Sequence, residues 1–250
     1  MSGGINMKIS DDVLSVFDNI EVEGNIARLN CGQLDRKIYL AVNQVLEAIG
    51  GKWNRKVKGH IFEADPTDKI ESIILTGDIE LPKKNGYFPT PLGIVNKLIE
   101  LANIEPGMRV LEPSAGQGAI ADELAKTGTT LEVCEILPQN IEVLMTKGYT
   151  LTAEDFLSLG KSDGQYDRIV MNPPFEKQQD IDHVMHAYSL LRPGGILVAI
   201  MSAGVIFREN KKTVAMRELI ERSGMLEELP EGSFKDSGTM VRTVVVKITA

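Results

Sequence analysis

From about residue 108 onward, short apolar runs alternate with segments of helical pattern, and nothing else in the chain narrows its fold as far. The runs are MRVLE (108–112), TTLEVCE (129–135), YTLTAED (149–155), YDRIVMN (166–172) and GILVAIMS (195–202). Between them lie segments such as AIADELAKTG and DIDHVMHAYSLLRPGG, whose closing glycines are good helix stops. This alternation predicts an α/β fold, a doubly wound and mostly parallel sheet with helices on both faces. The tail MLEELPEGSFKDSGTMVRTVVVKITA reads instead as two strands joined by a polar, glycine-bearing connection, a C-terminal antiparallel hairpin that closes the sheet.

The first 80 residues read as a small α+β module. In DRKIYLAVNQVLEAIGG, the positions Ile38, Ala41, Val42, Val45, Leu46 and Ile49 recur at helical spacing until Gly50-Gly51 ends the pattern. KWNRKVKGHIFEA suggests one or two short strands. DPTDKIESIILTGD offers Asp65 as a cap, Pro66 at the first helical position and Gly77 as a stop. The expected division is an accessory module over 1–80, a linker and first ligand-site segment over 81–90, and the large domain over 91–250.

Composition bounds the function. With 43% hydrophobic residues in 250, the chain can bury a substantial core. Cys31 and Cys134 lie far apart without metal-ligand spacing and read as reduced thiols of a cytoplasmic protein; no leader or membrane span is expected. The formal charge of −8 argues against coating nucleic acid by bulk electrostatics, so any such contact must be local. Two runs qualify. KWNRKVK carries Lys52, Arg55, Lys56 and Lys58 around Trp53, and FRENKKTVAMR (207–217) carries Arg208, Lys211 and Lys212. His183 and His186 stand at metal-compatible spacing, but no third ligand is apparent, so they read as surface or packing residues and no metal is expected.

The first strand of the large domain runs into VLEPSAGQGAI. Glu112, Ser114, Gly116 and Gly118 make a strand-to-helix turn where backbone can approach a ligand. The turn lacks the third glycine of a dinucleotide fingerprint and the lysine of a phosphate loop, and Glu112 suits a cation better than a pyrophosphate. Glu135 ends the second strand, where an acid can accept from both hydroxyls of a ribose. Asp155 ends the third, placed to accept from an exocyclic amine, with Phe156 beside an adenine ring. An ammonium, a ribose and an adenine without phosphate describe S-adenosylmethionine.

Together these segments resemble the class I S-adenosylmethionine-dependent methyltransferases, and specifically those acting on the N6 amine of DNA adenine. FPTP (88–91), VLEPSAGQG (110–118), CEILP (134–138), AEDF (153–156), NPPF (172–175) and LPEGSFKDSGTMVRTVVV (229–246) follow the family's motifs in linear order, in the arrangement called gamma. The resemblance covers roughly residues 86–250 and implies a Rossmann-like methyltransferase fold. It puts Thr90 near the cofactor's carboxylate, Glu112 near its ammonium, Glu135 at the ribose, and Asp155 with Phe156 at the adenine. Tyr87, Ser114, Gly116, Ile136 and Asn172 complete the implied cofactor set. Family members with built-in sequence specificity usually carry a large recognition domain after the catalytic one, so a protein partner supplying target recognition is expected beside DNA.

An exocyclic aromatic amine is a poor nucleophile because its lone pair is delocalised into the ring. Two acceptors aimed at its hydrogens, the Asn172 side-chain oxygen and the Pro173 carbonyl, favour tetrahedral nitrogen with its lone pair free. Pro173 and Pro174 cannot continue a ladder, so the chain turns there, and Phe175 offers a face on which a flipped base can stack. The same pocket would serve an adenine in RNA or a glutamine amide in a protein. A rival of another class is a binding or regulatory subunit that keeps the fold without turnover.

Overall fold

The computed structural model describes residues 9–79, 89–160, 163 and 165–250. The chain divides into two units, Met1–Lys83 with Gly204–Lys211, and Lys84–Ala203 with Lys212–Ala250. Residues 80–88, which hold most of the expected linker together with Tyr87, lie outside the described residues.

In the first unit the order is α1 (Asp11–Phe17), β1 (Ile20–Glu23), β2 (Ile26–Leu29), α2 (Arg36–Ala48), β3 (Lys52–Asn54), β4 (Gly59–Ile61) and α3 (Thr67–Thr76). The strands form an antiparallel sheet in the order β1-β2-β4-β3. α2 buries Val42, Val45 and Leu46, the stripe that its periodicity marks, against Leu14 and Phe17 of α1 and Ile73 of α3. Asp65 accepts from the Thr67 amide at 2.8 Å but stands one residue before the cap of α3, because Pro66 occupies the cap position itself rather than the first helical one.

The second unit continues with α4 (Leu92–Ala102), β5 (Arg109–Glu112), α5 (Ala121–Leu124), β6 (Thr130–Cys134), α6 (Pro138–Thr146), β7 (Leu151–Ala153), β8 (Tyr166–Met171), α7 (Gln179–Leu190) and β9 (Leu191–Ser202). After α8 (Gly204–Phe207) come α9 (Lys211–Ser223), β10 (Gly224–Glu228) and β11 (Thr243–Thr249). The seven strands lie in the order β10-β11-β9-β8-β5-β6-β7. From β9 to β7 neighbours pair in parallel, while β11 runs antiparallel between β9 and β10, with Thr243 opposite Ser202 and Thr249 opposite Ile196. This is the mostly parallel sheet closed by an antiparallel hairpin that the alternation predicts. β9 begins earlier than GILVAIMS: Arg192–Gly195, read as a helix-to-strand stop, lies within it, because Gly194 and Gly195 exchange main-chain hydrogen bonds with Ala250 at 2.8 and 3.0 Å.

β8 organises what surrounds the site. Near its start, Arg168 is buried and donates to the carbonyls of Ala102 and Asn103, at 2.5 and 3.2 Å, which fixes the end of α4. Just past its other end, Asn172 bonds Thr90, two residues before α4 begins. Both ends of one helix are thereby tied to a single central strand.

The remaining element departs from the expected division. α8 and the residues up to Lys211 follow β9 in the chain, yet they belong to the first unit. Phe207 joins that unit's core, and Arg208, 2% exposed, pairs with Asp18 at 3.4 Å and with Glu71 at 3.2 Å. Arg208 is therefore no surface contact for nucleic acid: its charge is neutralised internally by two acids.

Candidate active site

The adjacent strands β8, β5, β6 and β7 all run in one direction, so their carboxyl ends form one rim. Asn172, Glu112, Glu135 and Asp155 stand in that order along it, each at or within two residues of a strand end. Crevices at such strand ends are where open α/β sheets bind ligands.

Glu112 is buried, at 1% exposure. Burial pushes its carboxyl well above the ordinary carboxylate range, against an N–H donated by Ala121; Asp122 and Glu135 add to the rise and Lys147 opposes it. Its Oε2 has no hydrogen-bond partner among the described residues. A buried carboxyl with an unmet oxygen fits a positively charged ligand group, which would supply both the missing partner and the compensating charge.

Glu135 is also buried but is held from two sides. Its Oε2 accepts from the Gly116 amide at 2.7 Å and its Oε1 from the Leu137 amide at 2.8 Å. The first of these bonds ties the glycine turn to the next strand end. Gly116 and Gly118 have φ of 56° and 89°, a region in which other residues are strained, so the turn takes this path because glycine stands there. Ser114 is half-buried in the same turn. From outside, Lys147 braces it by donating to the Gln117 carbonyl at 2.7 Å and to Asp122 at 2.6 Å.

At the third strand end, Asp155 is exposed, and its Oδ1 accepts from the Leu157 amide at 2.9 Å. Phe156 differs from expectation. Its ring is 3% exposed and packs against His183 and His186 of α7, with centroids 5.5 and 4.8 Å away, so it has no open face to lay on an adenine. What stands open at these two neighbouring strand ends is aliphatic: Ile136 is 63% exposed and Leu157 is 46% exposed. The two histidines thus act in packing. Cys134 is fully buried, and burial pushes its thiol up to about 12, which keeps it protonated and inert.

At the fourth strand end, the Asn172 Nδ2 donates to the Thr90 hydroxyl at 3.1 Å, and Thr90 is 8% exposed. The amide nitrogen is engaged on that side, which leaves Oδ1 on the other. Pro173 is buried, Pro174 is exposed, and Phe175 is half-buried with one side against the core around Val95 and Leu98. Lys177 and Gln178 follow with φ of 53° and 59°. Two successive left-handed residues without glycine are costly, on the order of 1 kcal/mol each or more, and such geometry concentrates at functional turns. α7 is anchored directly behind this turn by Asp180, 1% exposed, which accepts from the Ser202 amide at 2.9 Å.

The sequence reading had no signal for the Thr90–Asn172 bond, since 82 residues separate the partners. Leu157 was also missed, because a lone apolar residue after an acid reads as core. Among the remaining candidates for nucleic-acid contact, Lys52, Trp53, Arg55, Lys56 and Lys58 are exposed. Lys211 is exposed as well, whereas Lys212 is partly covered and pairs with Asp182.

The fold is a Rossmann-like methyltransferase fold. Residues 92–222 match the family described as methyltransferase domain, more than half of the chain, and the chain belongs to that family. S-adenosylmethionine is its cofactor. No curated protein matches the sequence. Among solved structures it is similar to a type I restriction-modification system methyltransferase subunit from Streptococcus thermophilus, with 18% identity, 67% of this chain and 45% of that one covered, and a TM-score of 0.57. It is similar also to a protein from Vibrio vulnificus YJ016 described as a modification subunit of a type I restriction enzyme, with 18% identity, 66% and 45% covered, and a TM-score of 0.56. A Listeria monocytogenes protein described as a class I S-adenosylmethionine-dependent methyltransferase shares 15% identity over 67% of this chain and 62% of that one, with a TM-score of 0.50. The chain spans about half the length of the two restriction-system subunits. At these identities the likeness establishes the fold. Among the described residues, no helix is long and apolar enough to cross a membrane.

Proposed function

We propose that this chain transfers a methyl group from S-adenosylmethionine to the N6 amine of adenine in DNA. The observation that carries the reading is the Asn172 turn: an amide oriented by Thr90, a buried Pro173, an exposed Pro174 and a half-buried ring at Phe175, all at the rim that bears Glu112. Restriction-system modification subunits of the same fold support it further.

When bound, the cofactor supplies an electrophilic methyl group. Glu112 would hold its ammonium group, for which the unmet Oε2 is suited. Glu135, kept in place by the Gly116 and Leu137 amides, retains lone pairs for two ribose hydroxyls. Asp155 would accept from the adenine amine, with Ile136 and Leu157 as the open apolar surface against the ring, and any part for Phe156 runs through its main chain. Asn172 Oδ1 and the Pro173 carbonyl accept from the two hydrogens of the target amine and keep its lone pair out of the ring. Neither acceptor is a base, so the proton released as the new N–C bond forms passes to water. A base taken from duplex DNA must be flipped out at a cost of a few kcal/mol, which stacking on the free side of Phe175 offsets in part.

The test is transfer of labelled methyl from the cofactor to DNA, with Asn172→Ala beside the wild type. Transfer that falls by about two to three orders of magnitude in the variant is the expected result, the size of losing one polarising partner in a transition state. A folded, cofactor-binding protein that labels no DNA overturns the reading, and label appearing on RNA adenine or protein glutamine instead redirects it.

A further inference from the structure

Residues 52–58 form the outer hairpin of the first unit's sheet. Among the described residues β3 is its edge strand and pairs with β4 alone, Lys52 opposite Ile61 and Trp53 opposite His60, with Arg55–Lys58 as the loop between them. The loop is held firmly. Asn54 Oδ1 accepts from the amides of Lys56 and Val57 at 2.9 and 3.4 Å, and Lys58 takes a left-handed φ of 50°. Arg28 on β2 donates to the Val57 carbonyl at 3.1 Å and is itself steadied by Glu23 at 2.9 Å.

On this fixed frame, Lys52, Arg55, Lys56 and Lys58 are all exposed, and none is ion-paired among the described residues. The seven residues contain no acid, in a chain of net charge −8. Trp53 is 48% exposed, yet it is not loose: its ring meets the buried His60 ring edge-on, with centroids 5.3 Å apart. A lysine on an edge strand can serve merely to block aggregation, and Lys52 alone would suffice for that. Three further cations at the tip and a half-exposed indole beside them are not needed for it; they are what a phosphate backbone with sugars and bases behind it requires.

We propose that this hairpin docks on duplex DNA, its tip cations on the phosphates beside a groove and Trp53 against the sugar and base edges. The proposal rests on the reading that DNA is the substrate. What the hairpin offers is its tip and its open β3 edge, from which side chains can reach base edges in the B-form major groove, about 12 Å wide, whereas the deep, narrow A-form major groove of RNA keeps side chains out.

Trp53 is the only tryptophan, so intrinsic fluorescence reports on the hairpin in the intact chain. Titration with a short duplex DNA should change the emission saturably, and a duplex RNA of the same sequence should not. The triple variant Arg55→Ala/Lys56→Ala/Lys58→Ala should lower the slope of log affinity against log salt by nearly three, at about 0.9 per phosphate contact. It should also raise the DNA concentration needed for half-maximal methylation. Cofactor binding by the variant, equal to that of the wild type, shows that it is folded; Trp53→Phe, which keeps a ring, should retain most of the affinity. An unchanged salt slope in the folded triple variant overturns the proposal, and so does fluorescence that ignores DNA or responds equally to RNA. Failure of the underlying reading is distinguished by the wild type, which would then label no DNA in the methyl-transfer assay whatever the hairpin binds.

Discussion

The hairpin at 52–58 and the segment at 207–212 carry the same kind of charge in opposite settings. On the hairpin, four cations stand exposed with no ion-pair partner among the described residues. In the later segment, Arg208 is 2% exposed between Asp18 and Glu71, and Lys212 is paired with Asp182. A charge matched inside the fold belongs to the architecture, while one left unmatched is available to something else. The rim repeats the contrast with acids: Glu135 receives two main-chain N–H groups, and Glu112, at the neighbouring strand end, keeps one oxygen unmatched.

The sharpest test of this contrast is Arg208→Ala. Removing the guanidinium strands two acids, and breaking a buried pair in this way costs about 3–5 kcal/mol, so urea unfolding should show the first unit severely destabilised. The triple hairpin variant should leave unfolding nearly unmoved, as surface changes do. Equal costs would break the comparison.

Next in size is Glu112→Gln, expected to weaken cofactor binding by about one to two orders of magnitude, or roughly 1.5–3 kcal/mol for a hydrogen bond to a charged partner. The pH dependence has a definite sign. In the free protein the carboxyl titrates well above its ordinary 4.5, so between that value and its raised one the folded state holds a proton that the unfolded state lacks, and stability falls as pH rises across the window. A bound ammonium favours the carboxylate, so binding in that window should tighten with pH and release a proton. Calorimetry in buffers of different ionisation enthalpy measures the release, which Glu112→Gln should abolish.

Smaller effects follow from partners at the periphery. Thr90→Val keeps the shape and removes the acceptor of the Asn172 amide. It should lower kcat about tenfold, the equivalent of one hydrogen bond at roughly 1.4 kcal/mol, while leaving the affinity for DNA unchanged. Lys212→Ala should cost less than about 0.5 kcal/mol, because its pair with Asp182 is partly in solvent. A large cost there would show that partial exposure misjudges the pair.

The parallel sheet was legible because strands covered on both faces need continuous apolar runs, and the stretches Ile169–Met171 and Leu197–Met201 are such runs, with Val110-Leu111 a shorter one. The rim acids were legible for a topological reason: in a sheet of this kind, whatever ends a strand stands at the crevice. Phe156 was misread, because an aromatic after an acid looks the same whether its ring faces a ligand or, as here, two histidines from a helix 27 and 30 residues further on. Arg208 was misread because the acids that bury it lie 190 and 137 residues earlier. The β1–β2 hairpin was legible but overlooked; Gly24-Asn25 between two alternating runs is a two-residue turn signal.

The excursion of Gly204–Lys211 sets an order of events on the ribosome. Domains usually fold as they emerge, the N-terminal one first. Here the first unit lacks Phe207 for its core and Arg208 for Asp18 and Glu71 until β5 through β9 of the second have been synthesised. The unit that begins the chain is therefore completed late, and a nascent chain halted before residue 204 exposes two acids and an apolar gap that only the next few residues can close.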